Sequence, residues 1–305
     1  MVLETHFKED FFREEKRCGY VVTEKQKKIW ACEIDLAKKL LSVCEKYNIR
    51  IMGFAGTVLG AIRHAGFIPW DDDMDFCLLR EDYNRLLAVA SDEFKYPYFF
   101  QTAFSDPVYF FGYARLRNST TTAVISGHGS DYNCGIFIDI FVLDGLIDDF
   151  KKLEKQLKDR DRAAKKVAIF TPYHGDSFFL GVVKTFLRRL QKKSLNFDQA
   201  VREYNNVLER YSGDSTRVSF LTHPMSQLLK YWIYKSDFDD IVKMQFANIE
   251  IPVPSNYMRI LTNTYGDYLK FPPIEERGQW HKNQIVFDPD LPYDEYFRVN
   301  TKQMS

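Results

Sequence analysis

Cysteine is scarce in this sequence and badly spaced for joint use. Cys18, Cys32, Cys44, Cys77 and Cys134 are odd in number and include no C-x-x-C pair. A disulfide framework and a structural zinc site are therefore not expected, and the compartment is expected to be reducing. Net charge is also absent: Lys plus Arg and Asp plus Glu balance at 42 each, so no global basic surface invites a nucleic acid. No apolar run approaches the ~18 residues that would span a bilayer. The opening stretch MVLETHFKEDFFREEKRCGY mixes acids and bases and lacks the apolar core of a secretory signal. These absences predict a soluble or peripheral protein, cytoplasmic and at most resting on the inner membrane face. Internal repeats, low-complexity tracts and flexible linkers are missing as well.

What is present suits one large elaborated domain. The chain has 305 residues, 45% of them hydrophobic, enough for a sizeable core, and 16% aromatic, which suits either a well-filled core or a pocket for a cation. Thr23 with Gln26 reads as a capping box opening a long helix whose Ile29, Leu36, Leu40 and Tyr47 recur at helical spacing. Asn48 to Phe54 reads as a strand, broken at Ala55-Gly56-Thr57 before the short helical pattern VLGAIRH. The strand MDFCLL follows, then a helix with Leu86, Leu87 and Ala90 inward. Tyr109 to Leu116 and Thr120 to Ile125 are further strand candidates, and GIFIDIFVL from Gly135 to Leu143 is the most apolar. Such an order implies an α+β protein with a mixed β-sheet core flanked by helices.

From Lys151 to Lys193 the chain turns helical and basic, with thirteen Lys or Arg against four Asp or Glu. Within it, Phe178 to Lys193 sets apolar residues against Lys184, Arg188, Arg189, Lys192 and Lys193, a pattern that fits a core-docked helix with a solvated face or one lying on an anionic membrane. Downstream, two strands joined near Ala247-Asn248 and a helix around Ser255 to Leu269 are expected. The organisation predicted is an N-terminal helical segment (1–47), a catalytic core (48–150), a helical basic insertion (151–230) and a C-terminal segment completing the site (231–305).

The stretch GFIPWDDDMDFCLLR places Asp71, Asp72, Asp73 and Asp75 at the mouth of a buried strand. If MDFCLL is extended, Asp73 and Asp75 share a face with α-carbons roughly 6.5 to 7 Å apart, and both carboxylates can converge on one small cation. Mg²⁺ suits that arrangement, with Mn²⁺ as the alternative. Unpaired carboxylates held so close would repel, which a divalent ion relieves. Asp139, set between Ile138 and Ile140, is costly to bury alone and is expected at the same site. Gly56 and Thr57 at a helix start offer amides and a hydroxyl to a phosphate. The plainer readings are a helix cap for Gly-Thr and a chance surface loop for the aspartates. An EF-hand is rejected because its sixth position needs Gly and holds Phe76.

The stretch GTVLGAIRHAGFIPWDDDMDFCLLREDY closely resembles the signature of the LicD/fukutin family, a branch of the nucleotidyltransferase superfamily. The resemblance continues through YARLRNSTTT, GIFIDIFVLD and YGDYLKFPPIEERGQWH, from Gly53 to His281. It implies a nucleotidyltransferase-like fold and a phosphotransferase that moves phosphocholine from CDP-choline to a sugar hydroxyl of a cell-surface glycan, a lipopolysaccharide or teichoic acid precursor, free or lipid-linked. Relatives move phosphoribitol from CDP-ribitol. By that resemblance Asp73, Asp75 and Asp139 are the metal ligands and catalytic acids, with Asp71 beside them. Gly56 and Thr57 would cradle phosphate, Arg63 and Arg117 are candidate diphosphate clamps, and His281 matches the family's terminal histidine. Trp70, Trp232, Tyr231, Tyr113 and Trp280 are the aromatic candidates for holding a trimethylammonium group. Phosphoribitol or phosphoglycerol donors, an NTP-dependent nucleotidyl transfer, and a non-enzymatic glycan- or membrane-binding module remain as alternatives.

Overall fold

The computed structural model describes residues 1–106, 109–125, 132–170, 195–278 and 284–304. A small hairpin, β1 (Glu15–Arg17) and β2 (Tyr20–Val22), leads into the long helix α1 (Glu24–Lys46). As its sequence predicts, Thr23 caps α1 by accepting a hydrogen bond from the Gln26 backbone N–H at 3.2 Å. The helix fills one face of the core, with Ile29, Trp30, Ile34, Leu36, Ala37 and Leu40 buried.

The strand predicted over Asn48 to Phe54 shrinks to β3 (Met52–Gly53), and α2 (Ala55–His64) begins directly after Phe54. Ala65 closes α2 in a left-handed conformation, with φ at 48°. The chain folds back so tightly there that a Cβ on Gly60 would sit 2.5 Å from the Gly66 carbonyl oxygen, leaving room only for glycine.

Next come β4 (Asp75–Leu79), α3 (Arg80–Glu93), β5 (Tyr98–Gln101), β6 (Ala114–Asn118), β7 (Thr122–Ile125) and β8 (Ile136–Gly145). Beyond them lie α4 (Phe150–Ala168), α5 (Phe197–Glu209), β9 (Arg217–Ser219), the single turn α6 (Met225–Leu228) and β10 (Ile233–Tyr234). The chain then forms the hairpin β11 (Ile241–Phe246) and β12 (Ile249–Pro254), turning at Ala247-Asn248 as expected, followed by α7 (Tyr257–Tyr265), β13 (Ile285–Asp288) and α8 (Tyr293–Met304).

Strand β8 organises the main sheet of seven strands. It runs parallel to β4 and antiparallel to β6 and β9, while β3 extends the sheet beyond β4, β5 beyond β6 and β10 beyond β9. The predicted mixed α+β sheet flanked by helices is what forms. Strand β8 is buried on both faces, which explains its continuous apolar run. Helices α4 and α5 pack on each other through Leu153, Leu157, Val201, Tyr204 and Leu208, a core separate from that under α1. The amphipathic stretch Phe178 to Lys193 lies outside the described residues. No described helix is long and apolar enough to cross a membrane.

Candidate active site

Two backbone arrangements bring the aspartates together. Strands β4 and β8 are in parallel register with Asp75 opposite Asp139, and the Asp139 N–H donates to the Met74 carbonyl at 3.0 Å. The residues before β4 do not continue the strand: they form a loop that α1 holds from behind. Gln26 Nε2 donates to the Pro69 carbonyl at 3.0 Å and to that of Asp71 at 3.2 Å, and Trp30 Nε1 donates to the Asp71 carbonyl at 3.0 Å. Trp30 also stacks on Phe67, ring centroids 4.6 Å apart.

Asp73 therefore reaches the cluster from a loop and Asp75 from the first residue of β4. Asp71, Asp72 and Asp73 each present an oxygen within 4.8 Å of the others. Burial, then the charge of Asp73 and a hydrogen bond shared with it, pushes the Asp71 carboxyl well above the usual carboxylate range. Burial, followed by the charges of Asp73 and Asp139, does the same to Asp75. Hard oxygen donors so close together fit a hard divalent cation. Asp73, Asp75 and Asp139 are the residues that would hold it, with Asp71 beside them.

The other predicted residues divide. Gly56 lines the cleft above the acids, and a Cβ there would approach Asp71 Oδ2 to 3.1 Å, so the glycine makes room for that carboxylate. Thr57 is buried, and its hydroxyl accepts the Asp75 N–H at 2.7 Å. It ties the start of α2 to the start of β4, and a hydroxyl that accepts one bond keeps its own proton to donate.

Arg63 stands on the cleft wall, donating from Nη1 to the Tyr268 carbonyl at 2.9 Å and from Nε to His64 Nε2 at 2.9 Å. Arg117 is not brought to the acids. It is sealed in the sheet with Nε on Gln101 and Nη1 on the Gly135 carbonyl. Arg115, two residues earlier, is the arginine that meets an acid: Arg115 Nε donates to Asp139 Oδ1 at 2.6 Å, with the guanidinium 3.7 Å from the Phe137 ring centroid. His281 and Trp280 lie outside the described residues.

The cleft has a volume of about 820 Å³ and runs between α2, the acidic loop and the chain from Gln227 to Pro273. Its lining includes Trp70, Tyr231, Tyr265, Lys270 and Phe271 besides the acids. Of the aromatics read from sequence, Trp70 and Tyr231 line it. Tyr113 packs on Phe141, and Trp232 lies beneath Arg217 and Arg259, 5.1 and 5.6 Å away. The cleft rings already face cations: Arg63 and Arg277 lie 5.1 and 5.4 Å from the Phe271 ring, Arg277 lies 5.1 Å from Trp70, and Lys230 lies 5.3 Å from Tyr231 and 5.7 Å from Tyr265. Tyr265, Lys270 and Arg277 all lie in the stretch YGDYLKFPPIEERGQWH that carries the resemblance, but nothing local distinguishes them there from their neighbours.

An acidic floor beneath a rim of arginines and lysines offers oxygen donors suited to a cation and positive groups suited to an anion. Comparison with known proteins gives that arrangement a family. Residues 48–161 match the family model described as LicD/FKTN/FKRP, nucleotidyltransferase domain. The chain is 28% identical over 253 residues, 79% of this chain and 89% of the relative, to the lipopolysaccharide cholinephosphotransferase LicD of Haemophilus influenzae. It is 45% identical over 47 residues, 15% of this chain and 18% of the relative, to an uncharacterized protein of Rickettsia prowazekii. Residues 48–161 thus match that family's domain, and the resemblance drawn from the motifs is borne out by the family model and by the 28% identical relative.

Proposed function

We propose that this chain is a LicD-type transferase that moves phosphocholine from CDP-choline to a sugar hydroxyl of a cell-surface glycan precursor, such as one for lipopolysaccharide or teichoic acid. The observation that carries the reading is the convergence of Asp71, Asp73 and Asp75 on one cleft with Arg63 and Lys270, with Asp139 beside Asp75 in the parallel register of β4 and β8. Asp73, Asp75 and Asp139 would hold Mg²⁺, or Mn²⁺, which when bound neutralises charge on the donor's diphosphate. Arg63 and Lys270 bind phosphate oxygens along the wall. Arg115 fixes the orientation of Asp139 by occupying its Oδ1. The acceptor hydroxyl attacks the phosphorus bearing choline, a new P–O bond forms, the bridging P–O bond breaks with release of CMP, and the proton passes to a carboxylate of the floor.

One observation favours a second reading. The rings along the cleft lie beside Arg63, Arg277 and Lys230, neighbours that repel a trimethylammonium group and suit a polyol. A CDP-polyol donor carrying phosphoribitol or phosphoglycerol is that alternative. Calorimetric titration with CDP-choline, CDP-ribitol and CDP-glycerol in Mg²⁺ separates the two. Tight binding of CDP-choline with CMP released on turnover supports phosphocholine transfer, while binding of a polyol donor alone rejects it. Pyrophosphate release from an NTP would reject both in favour of nucleotidyl transfer.

A further inference from the structure

Glu33 sits on α1 at the end of the series Gln26, Trp30, Glu33, which are spaced i, i+4, i+7 and so share one face of the helix. The first two donate hydrogen bonds to the backbone of residues 69–71. The same face therefore presses Glu33 toward the acidic loop from the buried side. Glu33 is only 1% exposed, and neither of its carboxylate oxygens has a hydrogen-bond partner among the described residues. After burial, the groups acting most strongly on it are Asp73, Asp72, Asp71 and Asp75, all of its own sign.

A buried carboxyl kept for structure is normally satisfied. Asp35, two residues further along the same helix, shows the difference: its Oδ1 accepts from the Thr5 N–H at 2.6 Å and its Oδ2 from the Tyr98 hydroxyl at 2.8 Å. Nearby Lys27 is engaged by Glu15. An acid without donors, placed among acids, costs stability unless a positive charge reaches it.

We propose that Glu33 is a carboxylate of the divalent-cation site, closing it behind Asp71, Asp72 and Asp73, and that its charge is answered by the bound ion. This rests on the metal-dependent reading above and adds to it a residue that no motif contains. Glu33→Gln and Glu33→Met test it against Asp75→Asn by Mg²⁺ calorimetry, with Mn²⁺ resonance as a check, and by melting in EDTA and in saturating Mg²⁺.

Both Glu33 variants should melt about 2 °C or more higher than wild type in EDTA at neutral pH, because a buried acid that must either carry its charge or hold a proton there is gone. They should bind Mg²⁺ about tenfold or more weakly and gain correspondingly little from it on melting. Unchanged Mg²⁺ affinity overturns the proposal whatever the melting curves do. Weaker binding together with a lower melting temperature in EDTA also overturns it, by marking Glu33 as a structural acid. A wild type that takes up neither Mg²⁺ nor Mn²⁺ rejects the metal-dependent reading itself. Loss of binding in Asp75→Asn, with full binding in both Glu33 variants, rejects the role of Glu33 alone.

Discussion

Arg115 and Arg117 both point to one face of β6, since they are two residues apart, yet only Arg115 meets an acid. The difference is register: Arg115 pairs with Asp139 across the strands and Arg117 with Phe137. Removing the buried guanidinium leaves Asp139 charged and unanswered, so Arg115→Gln is expected to cost about 3 kcal/mol in urea unfolding. Arg115→Lys should recover only part, because one ammonium cannot both bind Asp139 and cover the Phe137 ring. Asp75→Ala should behave oppositely. It removes one of several mutually repelling carboxylates, so melting in EDTA should be unchanged or higher while turnover is lost. A fall of several degrees in EDTA would contradict the account of the floor. The acids are legible because a run of aspartates before an apolar strand and a third carboxylate inside another are local signals, although Asp73 joins them from the loop before β4 and not from a shared strand face. Sequence reading chose Arg117 because no local signal encodes strand register, and it passed over Glu33 because helical spacing alone does not show which polar residue is sealed from solvent.

Among the elements, α2 and the loop after it act as one part. Alanine favours helices over glycine by about 1 kcal/mol, yet Gly60→Ala is expected to destabilise by about 2 kcal/mol, because its Cβ would meet the Gly66 backbone and the turn cannot relax away from it. Denaturant melts should show the loss, and an increase in stability would disprove the close approach. The long helix α1, its Thr23 cap, the β11–β12 turn and the central β8 were all legible in advance, since each is written in adjacent residues. The start of β4 was not. Alternation would carry the strand back to Met74, but hydrogen bonds from Gln26 and Trp30, more than forty residues upstream, hold the preceding aspartates out of it.

For the whole molecule, buried carboxyls set the dependence of stability on pH. Asp71, Asp75 and Glu33 all have folded values raised above the unfolded ones. The native state therefore keeps protons that the unfolded chain releases near pH ~4. Their contribution is full below that pH and is lost as the pH rises through the folded values. His64, which burial and Arg63 lower to about 4, has the opposite effect: its contribution is present above pH ~6.5 and lost as the pH falls. Measured from about pH 6.5 upward in EDTA, the melting temperature should fall steadily. Saturating Mg²⁺ should flatten that decline, since the cation takes over from the protons. A flat profile in EDTA would show that the floor is not held by bound protons.

The cleft draws one wall from residues 55–75 and the other from residues 227–273. A nascent polypeptide leaving the ribosome must extend past Pro273 before the cleft can close around anything. Until then the aspartates and Arg63 face open water, and the first-made half waits on the second for its other wall.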